Sequence, residues 1–99
     1  MAKKLPPVHP GEILREEFLV PLKLTPYAVA AALHVPRTRI ERIAREEKPV
    51  TADTALRLGL YFGNSPEFWM NLQTHYDLKM ARRNLKPADA KRIKAWRAA

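Results

Sequence analysis

Four arginines stand close together in the segment Arg37-Thr38-Arg39-Ile40-Glu41-Arg42-Ile43-Ala44-Arg45. A guanidinium can donate two parallel hydrogen bonds, which suits guanine O6 and N7 as well as phosphate oxygens. On a helix, Ile40 and Ile43 would point inward, and the opposite face would carry Thr38, Arg42 and Arg45. That face could read base edges, or it could be a solvated cationic face paired with the glutamates at positions 41, 46 and 47.

The residues before this segment predict another short helix and a tight corner. Thr25 is a suitable N-cap, and Pro26 suits the first helical position. The inward face of this helix carries Val29, Ala30 and Leu33. Pro36 is predicted to start the next helix, because proline is tolerated in a first turn but disrupts a helix interior. This spacing is typical of a helix-turn-helix, with the arginine-rich helix in the place of a major-groove reader.

Composition limits the classes of protein that the chain can belong to. Its 99 residues, 46% of them hydrophobic, suffice for one small domain. Cysteine is absent, which excludes disulfides and thiolate metal sites. No apolar run approaches the ~20 residues of a membrane span, and no signal peptide is evident, so a soluble cytoplasmic protein is expected. A net charge of +8 favours an anionic partner, of which nucleic acid is the commonest.

The remaining pattern predicts an all-α fold. The first helix should run from about Gly11 to Leu19 and stop before Pro21. Thr51 should cap a fourth helix and Ser65 a fifth, and the core domain should end near Arg83. We therefore divide the chain into an N-terminal extension (1–8), a five-helix domain (9–83) and a basic C-terminal tail (84–99), which could hold a last helix bearing Ile93 and Trp96.

Four segments together resemble the HigA/VapI antitoxins, a family of Xre-like helix-turn-helix regulators. They are His9 to Leu14, Thr25 to Ile43, Thr51 to Leu58, and Ser65 to Gln73. The resemblance covers roughly residues 8–83 and implies a five-helix, lambda-repressor-like DNA-binding domain. It further implies a homodimer that binds a palindromic operator in its own promoter and neutralises a HigB-type, RelE-like ribonuclease toxin. The turn departs from the wider group in holding His34 where glycine is common, and left-handed backbone is less comfortable for histidine.

The resemblance also suggests roles for individual residues. On the family's pattern, Arg37, Thr38 and Arg42 face base edges, where arginine pairs with guanine and the threonine methyl can touch thymine. Arg39 and Arg45 lie to the side and suit phosphates, and Thr25 at the amino end of its helix does so too.

The fifth helix carries aromatic residues that could stack on bases but are more simply explained by packing. One small core has limited room for all of them, so we expect part of this face to form a dimer interface. The residues assigned to that interface are Phe68, Trp69, Leu72 and Tyr76. The three histidines have no metal-site spacing, and no glycine-rich phosphate loop is present, so no metal, cofactor or enzymatic activity is expected.

Several alternatives remain open from the sequence. The tail could be a solubilising end, an additional phosphate contact, or a docking segment for a partner. The protein could also be a stand-alone repressor without a toxin. A small ribonuclease is less consistent with the pattern, because such a toxin would need strands and none are predicted. A non-specific nucleoid-type protein is also less consistent with it.

Overall fold

The structure is a computed structural model that describes residues 6–97, and this part of the chain contains six helices and no strand. α1 comprises Pro10–Ile13 and continues directly as a π-helix over Leu14–Leu19; the others are α2 (Pro26–Leu33), α3 (Arg37–Ala44), α4 (Ala52–Phe62), α5 (Pro66–Asn84) and α6 (Pro87–Arg92). The predicted all-α class is confirmed, and a short sixth helix follows the five that were expected. No helix within residues 6–97 has the length and apolar character needed to cross a bilayer.

Side-chain caps start three of the helices where the sequence predicted them. The hydroxyls of Thr25, Thr51 and Ser65 each accept a hydrogen bond from the backbone N–H three residues later. Each oxygen satisfies one of the N–H groups that a helix start leaves without a partner. The prediction for Pro36 needs a correction, because its backbone is extended and it precedes α3, whose first residue is Arg37.

The core lies where α1, α2, α3 and α5 meet α4. Its completely buried members include Leu14, Val29, Ile40, Leu58 and Trp69. The indole ring of Trp69 packs 5.1 Å from the ring of Phe18, between centroids, and its N–H donates to Asn64 at 2.9 Å. A buried indole with its polar atom satisfied is the stable arrangement for this side chain.

α1 holds the carboxyl end of α3 through close contact. A Cβ on Gly11 would lie 1.8 Å from the carbonyl oxygen of Ile43, so only glycine fits this approach. The Arg15 guanidinium donates to the carbonyl oxygen of Ala44 and pairs with Glu46 at 3.2 Å. This arginine satisfies a carbonyl that the helix end leaves without an internal partner.

The C-terminal region does not join the core. α6 ends at Arg92, so the prediction that Ile93 and Trp96 belong to this helix is wrong. No residue of α6 is buried, and a helix of this length gains too little from its own backbone bonds to continue without packing. The last partly buried residue of α5 is Met80, and every residue from 81 to 97 is exposed.

Candidate nucleic-acid interface

The corner between α2 and α3 is closed by a left-handed residue. His34 has φ 57° and ψ 47°, which confirms the conformation expected at this position. The N–H of Val35 donates to the carbonyl of Ala30 at 3.0 Å, and the N–H of His34 donates to that of Ala31 at 3.2 Å. This pair of bonds is the Schellman arrangement, which ends α2 sharply and redirects the chain into α3.

A cation network that sequence reasoning missed ties this corner to α4. Arg57 donates through Nη1 to the carbonyl oxygen of Leu33 at 2.8 Å, and through Nε to Asp53 at 3.0 Å. Asp53 also accepts a hydrogen bond from Arg39 on α3. The spacing of Asp53 and Arg57 by four residues was the available signal, but the bond to Leu33 spans 24 residues and has no sequence signature.

The shared carboxylate has a consequence for Arg39. The hydrogen bond from Arg39, followed by that from Arg57, lowers the pKa of Asp53 below its usual value. Asp53 is therefore ionised at neutral pH and partly balances the charge of Arg39. Arg39, the residue predicted to bind a phosphate, is thus held by Asp53 of α4, and its Nη1 group already has an acceptor.

The remaining residues of α3 divide as the sequence indicated. Ile40 and Ile43 are buried, whereas Thr38, Arg42 and Arg45 are exposed. Within residues 6–97, the side chains of Arg42 and Arg45 form no hydrogen bond or ion pair. Both guanidiniums therefore keep all their donors for a ligand.

Arg37 differs from these two because it already has a partner. Its Nε lies 2.9 Å from the Glu41 carboxylate one turn later, and both side chains reach solvent. Exposed pairs of this kind contribute little stability, so a stronger acceptor can displace the glutamate.

A shallow groove between α3 and the start of α4 brings several of these groups together. Thr38, Arg39 and Arg42 line it from α3, and Lys48 and Thr51 line it from the connecting segment. Arg37, Arg45 and Thr25 lie outside this lining. Lys48 was not identified from the sequence as a candidate DNA contact. Its position shortly before the N-cap residue Thr51 was the available signal.

The segment that carries Lys48 is fixed from α5. The backbone N–H of Val50 donates to Oε1 of the buried Gln73 at 2.7 Å, and Nε2 of Gln73 donates to Asp77 at 2.9 Å. A buried N–H without an acceptor is costly, so Gln73 determines the path of this segment. No pattern in the sequence indicated this contact.

His9 has a structural role rather than a ligand-binding one. Its Nδ1 accepts the N–H of Gly11 at 2.8 Å, and its ring meets the edge of Tyr76 with centroids 4.8 Å apart. Burial lowers the pKa of His9, against the raising effect of Glu46 and Asp77. In the part of the chain described, no three acidic or histidine side chains cluster as a metal site would require.

The aromatic face of α5 is only partly available to another molecule. Trp69 is completely buried in the monomer, so its assignment to a direct dimer contact is wrong. Leu72 and Tyr76 are half-buried, and Phe68 is exposed at the edge of the face. The core buries more of α5 than the sequence analysis expected of one small domain, because Phe18 and Phe62 enclose the indole ring of Trp69.

The five-helix order and the α2–α3 corner define a helix-turn-helix protein with a polar, arginine-bearing third helix. No protein-family model matches the chain. It is, however, 58% identical over 78 residues to virulence-associated protein I of Dichelobacter nodosus, covering 79% of this chain and 72% of that protein.

Solved structures agree with this relationship. Pseudomonas aeruginosa antitoxin HigA with higBA promoter is 46% identical, with a TM-score of 0.79 over 89% of this chain and 91% of that one. Antitoxin GraA in complex with its operator is 39% identical, with a TM-score of 0.88 over 99% of both chains. The chain belongs to the HigA/VapI family of Xre-like helix-turn-helix regulators.

Proposed function

We propose that this protein is a sequence-specific DNA-binding antitoxin that represses its own operon and acts in the cytoplasm. The observation that supports this most directly is the exposed face of α3, on which Thr38 and Arg42 line the groove between α3 and the start of α4. Relatives of similar fold have been solved with promoter or operator DNA. Its action is binding rather than catalysis.

Base recognition is assigned to Arg37, Thr38 and Arg42. Arg42 can donate two parallel bonds to guanine, and Thr38 beside it can donate, accept or touch a thymine methyl. Arg37 would exchange its exposed pairing with Glu41 for a base acceptor.

Backbone phosphates fit the groups around this set. Thr25 lies at the amino end of α2, where the N–H groups and the helix dipole favour an anion. Arg45 is exposed beyond the carboxyl end of α3, and Arg39 and Lys48 border the groove. These contacts would set the register of α3 in the major groove without reading sequence.

A two-fold dimer would present two copies of α3 to an inverted repeat. Since Trp69 lies in the core, we assign the contact surface to exposed apolar residues of α4 and the start of α5. Leu60 is 87% exposed, and Tyr61 and Phe68 are exposed as well. These three, with the half-buried Leu72 and Tyr76 at the margin, form the proposed homodimer face, because large exposed apolar patches usually mark contacts.

Membership in a family of antitoxins supports a toxin partner, which we propose to be a HigB/RelE-like ribonuclease. The decisive experiment is co-purification of the tagged chain with the product of the neighbouring gene, followed by footprinting on the upstream promoter. We expect a stable complex that suppresses ribonuclease activity and a protected inverted repeat. Protection without a toxin complex would identify a stand-alone repressor, and equal binding to random DNA would contradict sequence-specific repression.

A further inference from the structure

The net positive charge of this protein is concentrated in one segment. We call residues 79–97 the C-terminal arm. It contains eight of the 18 lysines and arginines but one of the ten acidic residues, which gives it +7 of the total +8. Its cations are Lys79, Arg82, Arg83, Lys86, Lys91, Arg92, Lys94 and Arg97. Residues 1–78 together carry +1, so the arm sets the net charge of the whole chain.

These charges are not compensated within the described chain. From position 81 onward every arm residue is exposed, and none of the arm cations forms an ion pair within residues 6–97. Exposed apolar groups accompany them, with Ile93 at 74% and Trp96 at 87% exposure. Like charges at this density repel one another, so the arm is suited to an anionic partner.

The arm continues α5, the helix that also holds the segment bordering the α3 groove. α5 contacts that segment through the bond from Val50 to Gln73, and one turn later Tyr76 contacts His9. Beyond Met80 the helix continues without burial. Lys48 and Thr51 lie on either side of Val50 and line the groove, so α5, which continues into the arm, is joined through Gln73 to the surface assigned to DNA.

We propose that the C-terminal arm is the principal electrostatic anchor of this protein on DNA, binding backbone phosphates outside the bases that α3 reads. This inference rests on the proposed DNA-binding function. Duplex DNA has the dense, regular negative charge that such an arm matches. Contact with it would also order α6, which has six residues, buries none and is too short to be stable alone.

The test removes charge from the arm of the full-length protein. The variant Lys91→Gln, Arg92→Gln, Lys94→Gln, Arg97→Gln removes four cations that lie beyond all buried contacts. The proposed dimer carries two arms and therefore loses eight such cations. Each phosphate contact contributes about 0.9 to the slope of log K against log salt, so we expect that slope to fall by about 7. Affinity for operator and for random duplex should fall by the same factor, because phosphates carry no sequence information.

The matched control changes the apolar groups of the arm and keeps its charge. Ile93→Gln, Trp96→Gln should retain the wild-type salt slope, and both variants should keep the wild-type helical circular dichroism and the wild-type mass by light scattering. An unchanged slope in the four-charge variant would overturn the arm proposal while leaving specific operator binding by the wild type intact. Conversion of the Ile93/Trp96 variant to monomers would instead show that a second copy covers the arm. If the wild-type protein did not prefer operator over random DNA, the result would contradict the proposed function itself, independently of the arm.

Discussion

Replacement of Arg42 by alanine tests the assigned reading face most directly. The Arg42 side chain is exposed and has no polar partner within residues 6–97, whereas its neighbours Ile40 and Ile43 are buried. Arg42→Ala should therefore leave folding unchanged, since surface substitutions of this kind usually alter stability by less than about 0.5 kcal/mol. Any loss of binding can then be attributed to the missing contact.

The expected magnitude follows from the chemistry and the symmetry. One bidentate arginine–guanine pair contributes about 1–3 kcal/mol of discrimination. A two-fold dimer presents Arg42 to each half-site, and distant sites add nearly independently, so the complex should lose about 2–6 kcal/mol. At the lower end this is roughly a thirty-fold weaker operator affinity.

The assay is a titration of operator, single-base operator variants and random duplex at one salt concentration. Arg42→Ala should relax the preference at one base pair per half-site and change binding to random DNA little. Arg45→Ala is the matched control, because it is also exposed and without a polar partner in the described chain but lies to the side of the reading face; it should weaken all duplexes alike. Wild-type specificity in Arg42→Ala would refute the placement of α3 in the major groove.

Three further substitutions test assembly, the turn and pH dependence. Leu60→Glu places a charge on the proposed dimer face without touching the core, and light scattering should show monomers that bind operator poorly; a dimer of normal affinity would exclude this face. His34→Gly should raise the melting temperature by removing about 1 kcal/mol of left-handed strain, and a lower melting temperature would reveal a contact of the imidazole ring. Because burial lowers the pKa of His9 in the folded state, the unfolded chain takes up the proton first, and stability should fall as pH drops below about 6.5. Denaturant titrations at several pH values should show this fall weakened in His9→Gln and retained in the control His75→Gln, whose side chain is exposed.

Much of the fold could be predicted because its signals are local. The caps at Thr25, Thr51 and Ser65 act over three residues, and the inward faces follow helical spacing. The left-handed conformation of His34 was indicated by the family resemblance, because the wider group commonly has glycine at this position of the turn. In each case the interacting groups lie within one or two turns of each other.

The contacts that were missed join residues distant in sequence. Arg57 reaches the carbonyl of Leu33 across 24 residues, and Gln73 accepts from Val50 across 23. The spacing of residues along a helix does not show whether a polar side chain is a buried hydrogen-bond acceptor or a solvent-exposed one. These interactions arise only when the helices have packed, and they determine where Arg39 and Lys48 lie.

The error over Trp69 has a different cause. Helical spacing showed that Phe68, Trp69, Leu72 and Tyr76 share a broad face, but it could not show how much of that face the other helices cover. Phe18, contributed by the π-helical part of α1, closes over the indole ring. The exposed part of α5 is therefore smaller than the sequence indicated, and for this reason our proposed homodimer face includes Leu60 and Tyr61 of α4.

Specificity and affinity are separated along this chain. The reading segment 37–48 has five cations against three glutamates, whereas the C-terminal arm has eight against one. Since phosphate contacts govern the salt-dependent part of affinity and base contacts govern selectivity, the two properties should respond to different mutations. The reading segment, with a net charge of +2 against +7 for the arm, should also limit binding to the wrong sequence, because without matched bases it contributes less attraction than the arm. In the binding mode that we propose, the arm holds the protein near DNA while α3 selects the site.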